Sequence, residues 1–168
     1  MTEETSKVLT AEALAETVER LKARGRRVVF ANGCFDVLHV GHIHYLREAR
    51  ALGDVLIVAV NNDASTRALK GEGRPWMTQE DRLEILSALS CVDHLILFGE
   101  GDVSRLLRLL KPHVHAKGTD YTIETVPERG VVLGYGGETA ITGDPKTRSS
   151  TELAARMRPD PGETDARP

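Results

Sequence analysis

The chain has 168 residues, of which 40% are hydrophobic and 28% charged, proportions typical of a single globular domain. Its net charge of -3 argues against a nucleic-acid surface, and no apolar run approaches the roughly 20 residues that span a membrane. The polar amino terminus is unlike a signal peptide, and two cysteines are too few for a disulfide framework or a closed zinc site. We therefore expect a cytoplasmic protein with reduced thiols that binds neither nucleic acid nor membrane.

Helical and strand-like patterns alternate along the chain. The spacing of Leu14, Val18 and Leu21 predicts a first helix that Thr10 caps and Gly25 ends. Further helices are predicted over 39–52, from 78 onward, over 103–110 and from 149 to just before 159. Strands are predicted over 27–31, 54–60, 93–98 and 113–117, with weaker candidates at 130–133 and 138–142.

This alternation predicts an α/β fold with a Rossmann-like open, mostly parallel sheet and helices on both faces. We expect residues 1–158 to form one domain and residues 159–168, rich in proline, glycine and charge, to be a disordered tail. In such folds ligands bind at the carboxyl ends of the strands, where helices begin. Functional residues should therefore lie in the turns that follow strands.

Residues 30–42, FANGCFDVLHVGH, give the clearest functional signal. A strand leads through a glycine-containing turn to a helix, on which His39 and His42 would share one face. Unpaired N–H groups and the helix dipole favour an anion there, so the two imidazoles would form a site for a phosphate chain. Gly33 allows close approach of the backbone, and Gly41 leaves room between the histidines.

Other interpretations of the histidine pair are a surface coincidence or half of a metal site. No HExxH motif or cysteine and carboxylate pattern completes an obvious zinc set. The fingerprint GxGxxG is absent as well, which disfavours a nicotinamide cofactor. Among the remaining histidines, His94, His113 and His115 are expected to be structural, and His44 is assigned no role.

His39-Val40-Gly41-His42 matches the HxGH motif of the nucleotidyltransferase superfamily that includes class I aminoacyl-tRNA synthetases. Within it, NGCFDVLHVGH resembles the cytidylyltransferase-like group, and most closely the adenylyltransferases that make ADP-heptose from heptose 1-phosphate. The likeness covers roughly residues 27–157. It implies the HxGH nucleotidyltransferase fold and transfer of AMP from ATP to a sugar 1-phosphate, with release of pyrophosphate.

Further segments resemble motifs of this family, in family order. Residues 61–65 and 70–75 resemble its substrate-contacting stretch, and residues 80–82 a segment with a site arginine, although Arg82 could equally lie on a solvated helix face. Residues 117–121, KGTDY, resemble its KGGDY, with Thr119 in place of the second glycine. Residues 148–151 resemble the hydroxyl-rich turn that holds triphosphate oxygens, although serine and threonine also cap helices.

The resemblance implies a role for each matching residue. The implied catalytic residues are His39, His42 and Lys70. The implied nucleotide-binding residues are Asn32, Gly33, Cys34, Phe35, Gly41, Lys117, Gly118, Arg148, Ser149, Ser150 and Thr151. The implied substrate-binding residues are Asp36, Asn61, Lys70, Arg82 and Asp120.

The resemblance also implies cofactors and partners. Mg²⁺ would bridge the triphosphate, and no protein side chain is assigned as its ligand. The expected partners are a nucleoside triphosphate, a phosphorylated small molecule, a second copy of the chain in a homodimer, and a separate sugar kinase in the same pathway.

Other functions remain open at the level of sequence. The chain could use CTP with glycerol 3-phosphate or a polyol phosphate, or ATP with flavin mononucleotide. It could also be a nucleotide-binding sensor without turnover, although a sensor would not need the paired histidines and Lys70.

Overall fold

The computed structural model describes residues 6–145 and Ala155. Its strands are β1 (Val28–Gly33), β2 (Val55–Asn61), β3 (His94–Phe98), β4 (Val114–Gly118) and β5 (Glu138–Thr142). Its α-helices are α1 (Ala11–Ala23), α2 (Val40–Ala51), α3 (Asp63–Lys70), α4 (Gln79–Ser87), α5 (Ser104–Leu110) and α6 (Arg129–Gly134). A short 3₁₀ helix spans Ile123–Thr125.

The five strands form one sheet in the order β3-β2-β1-β4-β5, and every neighbouring pair is parallel. This confirms the predicted Rossmann-like α/β fold. The chain order reverses at β1, which has β2 on one side and β4 on the other. A reversal of this kind opens a crevice above the carboxyl ends of the central strands, where ligands bind in such folds.

The sheet is covered on both faces. Side chains alternate along a strand, so Val29 and Ala31 of β1 join the core beneath α2 and α4. Val28 and Phe30 join the opposite core, beneath α1, α5 and α6. All residues of β2 are buried, as its continuously apolar sequence predicted.

Residues at its two ends determine where helix α1 begins and ends. The Thr10 side chain accepts a hydrogen bond from the N–H of Ala13, which satisfies a donor that the helix cannot pair itself. Leu14 and Val18 are buried against the sheet. Gly25 follows the helix with a φ of 72°, a conformation that glycine adopts without strain.

Three elements differ from the sequence-based predictions. Residues 130–133, predicted as a weak strand, lie in α6, where Val132 is fully buried while Leu133 is 56% exposed. A short apolar run does not distinguish strand from helix by its pattern alone. Helix α3 was not predicted, and β1 continues through Asn32 and Gly33, which were predicted to form a turn. The helix predicted from residue 149 and the tail predicted over 159–168 lie outside the described residues.

In the part of the chain that the structure describes, no helix combines the length and the apolar character that crossing a membrane would require.

Candidate active site

A cleft of about 1080 Å³ opens above the carboxyl ends of the strands. Residues at or after the carboxyl ends of all five strands contribute to its walls. The predicted site residues that line it are Asn32, Gly33, Cys34, Phe35, Asp36, His39, Gly41, His42, Asn61, Lys70, Lys117, Gly118 and Asp120. Residues distant in sequence therefore meet in one cavity.

The two histidines are built into the amino end of α2. His39 is the N-cap residue, and its Nδ1 accepts a hydrogen bond from the N–H of Gly41 at 3.1 Å. Nδ1 of His42 accepts from the N–H of His39 at 3.3 Å, which completes a capping box made of two imidazoles. Their ring centres are 4.0 Å apart. The helix start thus fixes the position of both rings.

These hydrogen bonds also fix the tautomer. A nitrogen that accepts a hydrogen bond carries no proton, so the proton of each neutral ring lies on Nε2. Burial, together with the nearby His39 and Lys70, lowers the pKa of His42 to about 4. At neutral pH His42 is therefore an uncharged imidazole that offers an N–H donor.

Close packing holds the pair in place. A Cβ atom added at Gly41 would lie 2.9 Å from Cε1 of His39, so a side chain there would displace the ring. Phe35 is buried and has a φ of 50°, which is strained for a bulky residue. Its ring centre lies 5.3 Å from that of His42. The strained residue thus supports the imidazole from the core side.

Two lysines line the cleft together with the histidines. Lys70 is exposed at the end of α3, and its charge contributes to the low pKa of His42. Lys117, on β4, has a side chain that is only 9% exposed. Burial lowers its pKa, and the carboxylate of Glu128 opposes this effect from 3.7 Å away.

Asp36 anchors a loop. It is 1% exposed, and one of its oxygens accepts from the N–H of Trp76 at 2.7 Å and of Met77 at 3.2 Å. The other oxygen pairs with Arg74, whose guanidinium lies 4.0 Å from the centre of the Trp76 ring. Asp36, which lines the cleft, thus holds the loop before α4 against the turn after β1.

Arg82 does not line the cleft, contrary to the expectation that it contacts substrate. It is 1% exposed, and Nη1 donates to the carbonyl oxygens of Cys34 at 2.5 Å and Asn61 at 2.7 Å. Nη2 forms an ion pair with Asp63 at 2.8 Å, and Nε donates to the Met77 carbonyl at 3.2 Å. The donors of its guanidinium are engaged by protein acceptors beneath the cleft. Arg82 therefore stabilises the residues that form the cleft and does not face the ligand.

Thr119, which replaces a family glycine, has an ordinary backbone conformation, since Phe35 and Lys111 are the non-glycine residues with positive φ in the described ranges. Its hydroxyl donates to the Asp144 carbonyl at 2.7 Å. The Asp144 carboxylate pairs in turn with His44 on α2. The turn after β4 and the loop after β5 are thus joined to each other and to the helix that begins with the histidines.

His115 orients Asn32. This histidine is fully buried, and its Nε2 lies 2.9 Å from Oδ1 of Asn32. Because an amide oxygen only accepts, the ring nitrogen is the donor. Burial and Lys117 lower the pKa of His115 to about 3, so the ring is neutral. Together with His113, whose Nδ1 accepts from the N–H of Val28, it has the structural role that its position in a strand predicted.

Sequence reasoning missed two buried residues of the cleft wall. Tyr45 donates its hydroxyl to the Ala116 carbonyl at 2.8 Å, and burial raises its pKa. Its place on the apolar face of α2 was the available signal. Glu128 is 5% exposed and lies just before α6 in a segment with no family motif, so nothing in the sequence indicated its burial.

The predicted phosphate ligands Arg148, Ser149, Ser150 and Thr151 lie outside the described residues. Within the described ranges, no group of three or more histidine, cysteine or carboxylate side chains could hold a metal ion.

Comparisons with known proteins show which family the chain belongs to. Residues 30–142 match the family model described as cytidylyltransferase-like. Among curated proteins, the bifunctional protein HldE of Pelobacter propionicus is 46% identical over 152 residues, which make up 90% of this chain and 31% of that protein. The HldE of Geobacter sulfurreducens is 45% identical, again over 90% of this chain and 31% of that protein. The chain therefore spans less than a third of the length of these relatives.

A crystal structure of a lipopolysaccharide core biosynthesis protein from Thermoplasma volcanium is similar in fold and in sequence. It shares 33% identity with this chain at a TM-score of 0.64, over 72% of this chain and 99% of the other.

Proposed function

The chain belongs to the cytidylyltransferase-like family and is a nucleotidyltransferase, and from that premise we propose that it transfers AMP from ATP to a heptose 1-phosphate, releasing pyrophosphate and forming ADP-heptose. The similarity to HldE and the resemblance of NGCFD and KGTDY to the heptose-specific group support this choice of substrates. The similar structure is that of a lipopolysaccharide core biosynthesis protein, which supports the choice too, because oligosaccharide assembly consumes nucleotide-activated sugars.

The observation that carries the proposal is the histidine pair at the start of α2. Both Nδ1 atoms accept backbone N–H groups, so both rings present Nε2–H donors. Donors held in advance at a helix start stabilise negative charge that develops on phosphoryl oxygens, without reorganisation during the reaction. A cleft that only stored a nucleotide would not require this arrangement.

The acceptor needs no general base. The second pKa of a phosphate monoester is about 6, so the attacking oxygen is already an anion near pH 7. This oxygen forms a bond to the α-phosphorus of ATP, while the bond from that phosphorus to the oxygen bridging to the β-phosphorus breaks. The electron pair leaves with pyrophosphate. The reaction therefore depends on in-line positioning and on neutralisation of charge.

The described residues divide these tasks. His39 and His42 would donate to the oxygens of the α-phosphoryl group and of the leaving group. Lys70, at the end of α3, and Lys117, on β4, would hold phosphates in the cleft. Asn32, oriented by His115, and the turn after β1 would bind the nucleotide, while Asn61 and Asp120 would face the acceptor.

Mg²⁺ would accompany the triphosphate. Mg²⁺ in such sites is usually held by one or two carboxylates together with substrate phosphates. The carboxylate of Asp36 is occupied by loop N–H groups and Arg74, and no described cluster forms a metal centre. We therefore assign the ion no ligand among the described side chains; it would neutralise the charge of the phosphate oxygens.

The test is release of pyrophosphate with Mg²⁺ and either ATP or CTP, against heptose 1-phosphate, glycerol 3-phosphate, flavin mononucleotide and phosphopantetheine. We expect release with ATP and heptose 1-phosphate. Release with a different pair would retain nucleotidyl transfer and refute the proposed substrates. Binding of ATP without release across the panel would favour a nucleotide sensor.

The same assay tests the histidine pair. His42→Ala should lower kcat by about 100- to 1000-fold, the usual effect of removing one donor that stabilises a developing oxyanion. His94→Gln is the matched control, because His94 lies at the start of β3, away from the carboxyl ends of the strands. Unchanged turnover in folded His42→Ala would refute the assigned role.

A further inference from the structure

Glu128 is a buried carboxylate in the wall of the cleft. The reaction described above assigns it no role. It immediately precedes α6 and is 5% exposed. Taking a carboxylate out of water is unfavourable unless it is paired or hydrogen-bonded. A residue of this kind therefore needs a partner that compensates its charge.

That partner is Lys117. Oε2 of Glu128 lies 3.7 Å from Nζ of Lys117, and the two side chains are 6% and 9% exposed. The same Oε2 is buried and makes no hydrogen bond to any described residue. The Lys117 ammonium also lies over the Tyr121 ring, 4.7 Å from its centre. The carboxylate and the ring together define where the ammonium sits.

We propose that Glu128 is a positioning residue for nucleotidyl transfer, whose carboxylate keeps Lys117 as an ammonium ion at the cleft wall, ready to meet the phosphates of the nucleoside triphosphate. The inference rests on the proposed function, because it takes Lys117 to be a phosphate ligand. Glu128 acts through Lys117 and need not touch substrate itself.

The charges around Lys117 explain why it needs such a partner. Burial favours the neutral amine and lowers the pKa of Lys117, and Glu128 is the influence that raises it again. His115 on β4 is neutral at pH 7, and burial raises the pKa of Tyr45 on α2, which keeps that phenol neutral too. Asp120 and Tyr121 lie in the turn after β4 and line the same cleft.

The pairing can be tested without turnover. Only the neutral amine reacts with acetic anhydride, so brief exposure at a series of pH values, followed by mass spectrometry, gives the midpoint for acylation of Lys117. In Glu128→Gln we expect this midpoint to fall by about one to three pH units, the usual effect of losing an opposite charge within 4–6 Å. An unchanged midpoint in the folded variant would overturn the proposal.

Two further variants keep the test decisive. Glu138→Gln is the matched control, because Glu138 pairs with Arg27 at the surface and should leave the Lys117 midpoint unchanged. Glu128→Asp retains the charge but lengthens the pair, so it should shift the midpoint in the same direction and by less. If Glu128→Gln does not fold, the absence of any shift in Glu128→Asp overturns the proposal.

The positioning role is tested by the pH dependence of ATP affinity, measured by calorimetry with Mg²⁺. In Glu128→Gln the loss of affinity at alkaline pH should begin at a lower pH, by the same one to three units or so. A shifted acylation midpoint with an unshifted affinity profile would refute the positioning role. Failure of every acceptor in the pyrophosphate assay would refute the proposed function instead, because neither measurement here requires an acceptor.

Discussion

His39 and His42 are held by the backbone of the helix that they begin, and this determines what they can contribute. With both Nδ1 atoms engaged, the rings cannot serve as bases through those nitrogens and instead present fixed N–H donors. Because its low pKa keeps His42 neutral, we expect it to contribute directional hydrogen bonds to a bound phosphate, and Lys70 and Lys117 to contribute positive charge. Donors and cations are thus supplied by different residues.

The neutral state of His42 leads to a prediction about stability. In the unfolded chain His42 should take up a proton near pH 6.5, whereas in the folded protein it does so only near pH 4. Between these values the unfolded state binds more protons, so the free energy of unfolding falls as the pH is lowered. For His42 alone the loss by pH 4 is on the order of 3 kcal/mol.

Urea unfolding curves between about pH 4 and pH 7 measure this dependence. We expect His42→Gln to reduce the fall in stability relative to the wild type, with an unchanged dependence on urea at neutral pH. Part of the fall should remain, because the pKa of His115 is lowered as well. Equal pH dependence in the two proteins would contradict a buried neutral His42.

At the scale of elements, the start of α2 combines a helix cap with a candidate phosphate site. Glycine inside a helix is unfavourable relative to alanine, yet Gly41 occupies the first turn. The reason is the space that the His39 ring takes up beside it. Here the requirements of the cleft outweigh the preference of the helix.

Gly41→Ala should therefore separate stability from activity. The new methyl group would displace the His39 ring, and a misplacement of this size can lower turnover by about 100-fold. The free energy of unfolding should change by no more than about 1 kcal/mol, since alanine favours the helix. Kinetic and urea-unfolding measurements on the same preparation test both statements.

Gly134→Ala, at the end of α6, is the matched control. A Cβ atom there meets nothing within 4 Å, so this variant should keep full activity. Full activity in Gly41→Ala would mean that the position of the His39 ring does not matter for the reaction.

At the scale of the whole molecule, Arg82 joins the parts that form the floor of the cleft. It bonds to the ends of β1 and β2, to the first residue of α3 and to the loop before α4. One fully buried guanidinium thus bonds to three stretches of the chain, at Cys34, at residues 61–63 and at Met77.

Replacing Arg82 with methionine should lower the free energy of unfolding by about 3–5 kcal/mol, because Asp63 and two buried carbonyls would lose their partner. Arg105→Met is the control, since Arg105 forms an exposed ion pair with Glu100 and should change stability by less than about 1 kcal/mol. Urea unfolding measures the free energy of unfolding of both variants. Similar losses in the two would contradict the inference that Arg82 holds the floor of the cleft together.

The sequence was informative wherever a local pattern had one physical meaning. The apolar run of β2, the cap at Thr10 and the spacing of His39 and His42 each predicted an element or a face that the structure contains. The run at 130–133 was misleading because buried residues in a short segment fit either kind of element.

What the sequence could not predict depends on contacts between distant segments. The burial of Arg82 follows from carbonyls on β1 and β2, and the burial of Glu128 follows from Lys117 on β4. The sequence around a charged residue does not show whether its side chain will be buried against a partner from a distant segment. Both residues became interpretable only once the fold had brought those partners together.

The strand order has a practical consequence for redesign. Lys117 and Gly118 line the cleft on the β4 side of β1, whereas Phe98, Gly101 and Asp102 line it on the side of β2 and β3. The two walls are therefore formed by different segments of the sequence. A mutant library confined to the β3 side could be screened for new phosphorylated acceptors while Lys117 and the histidine pair stay constant.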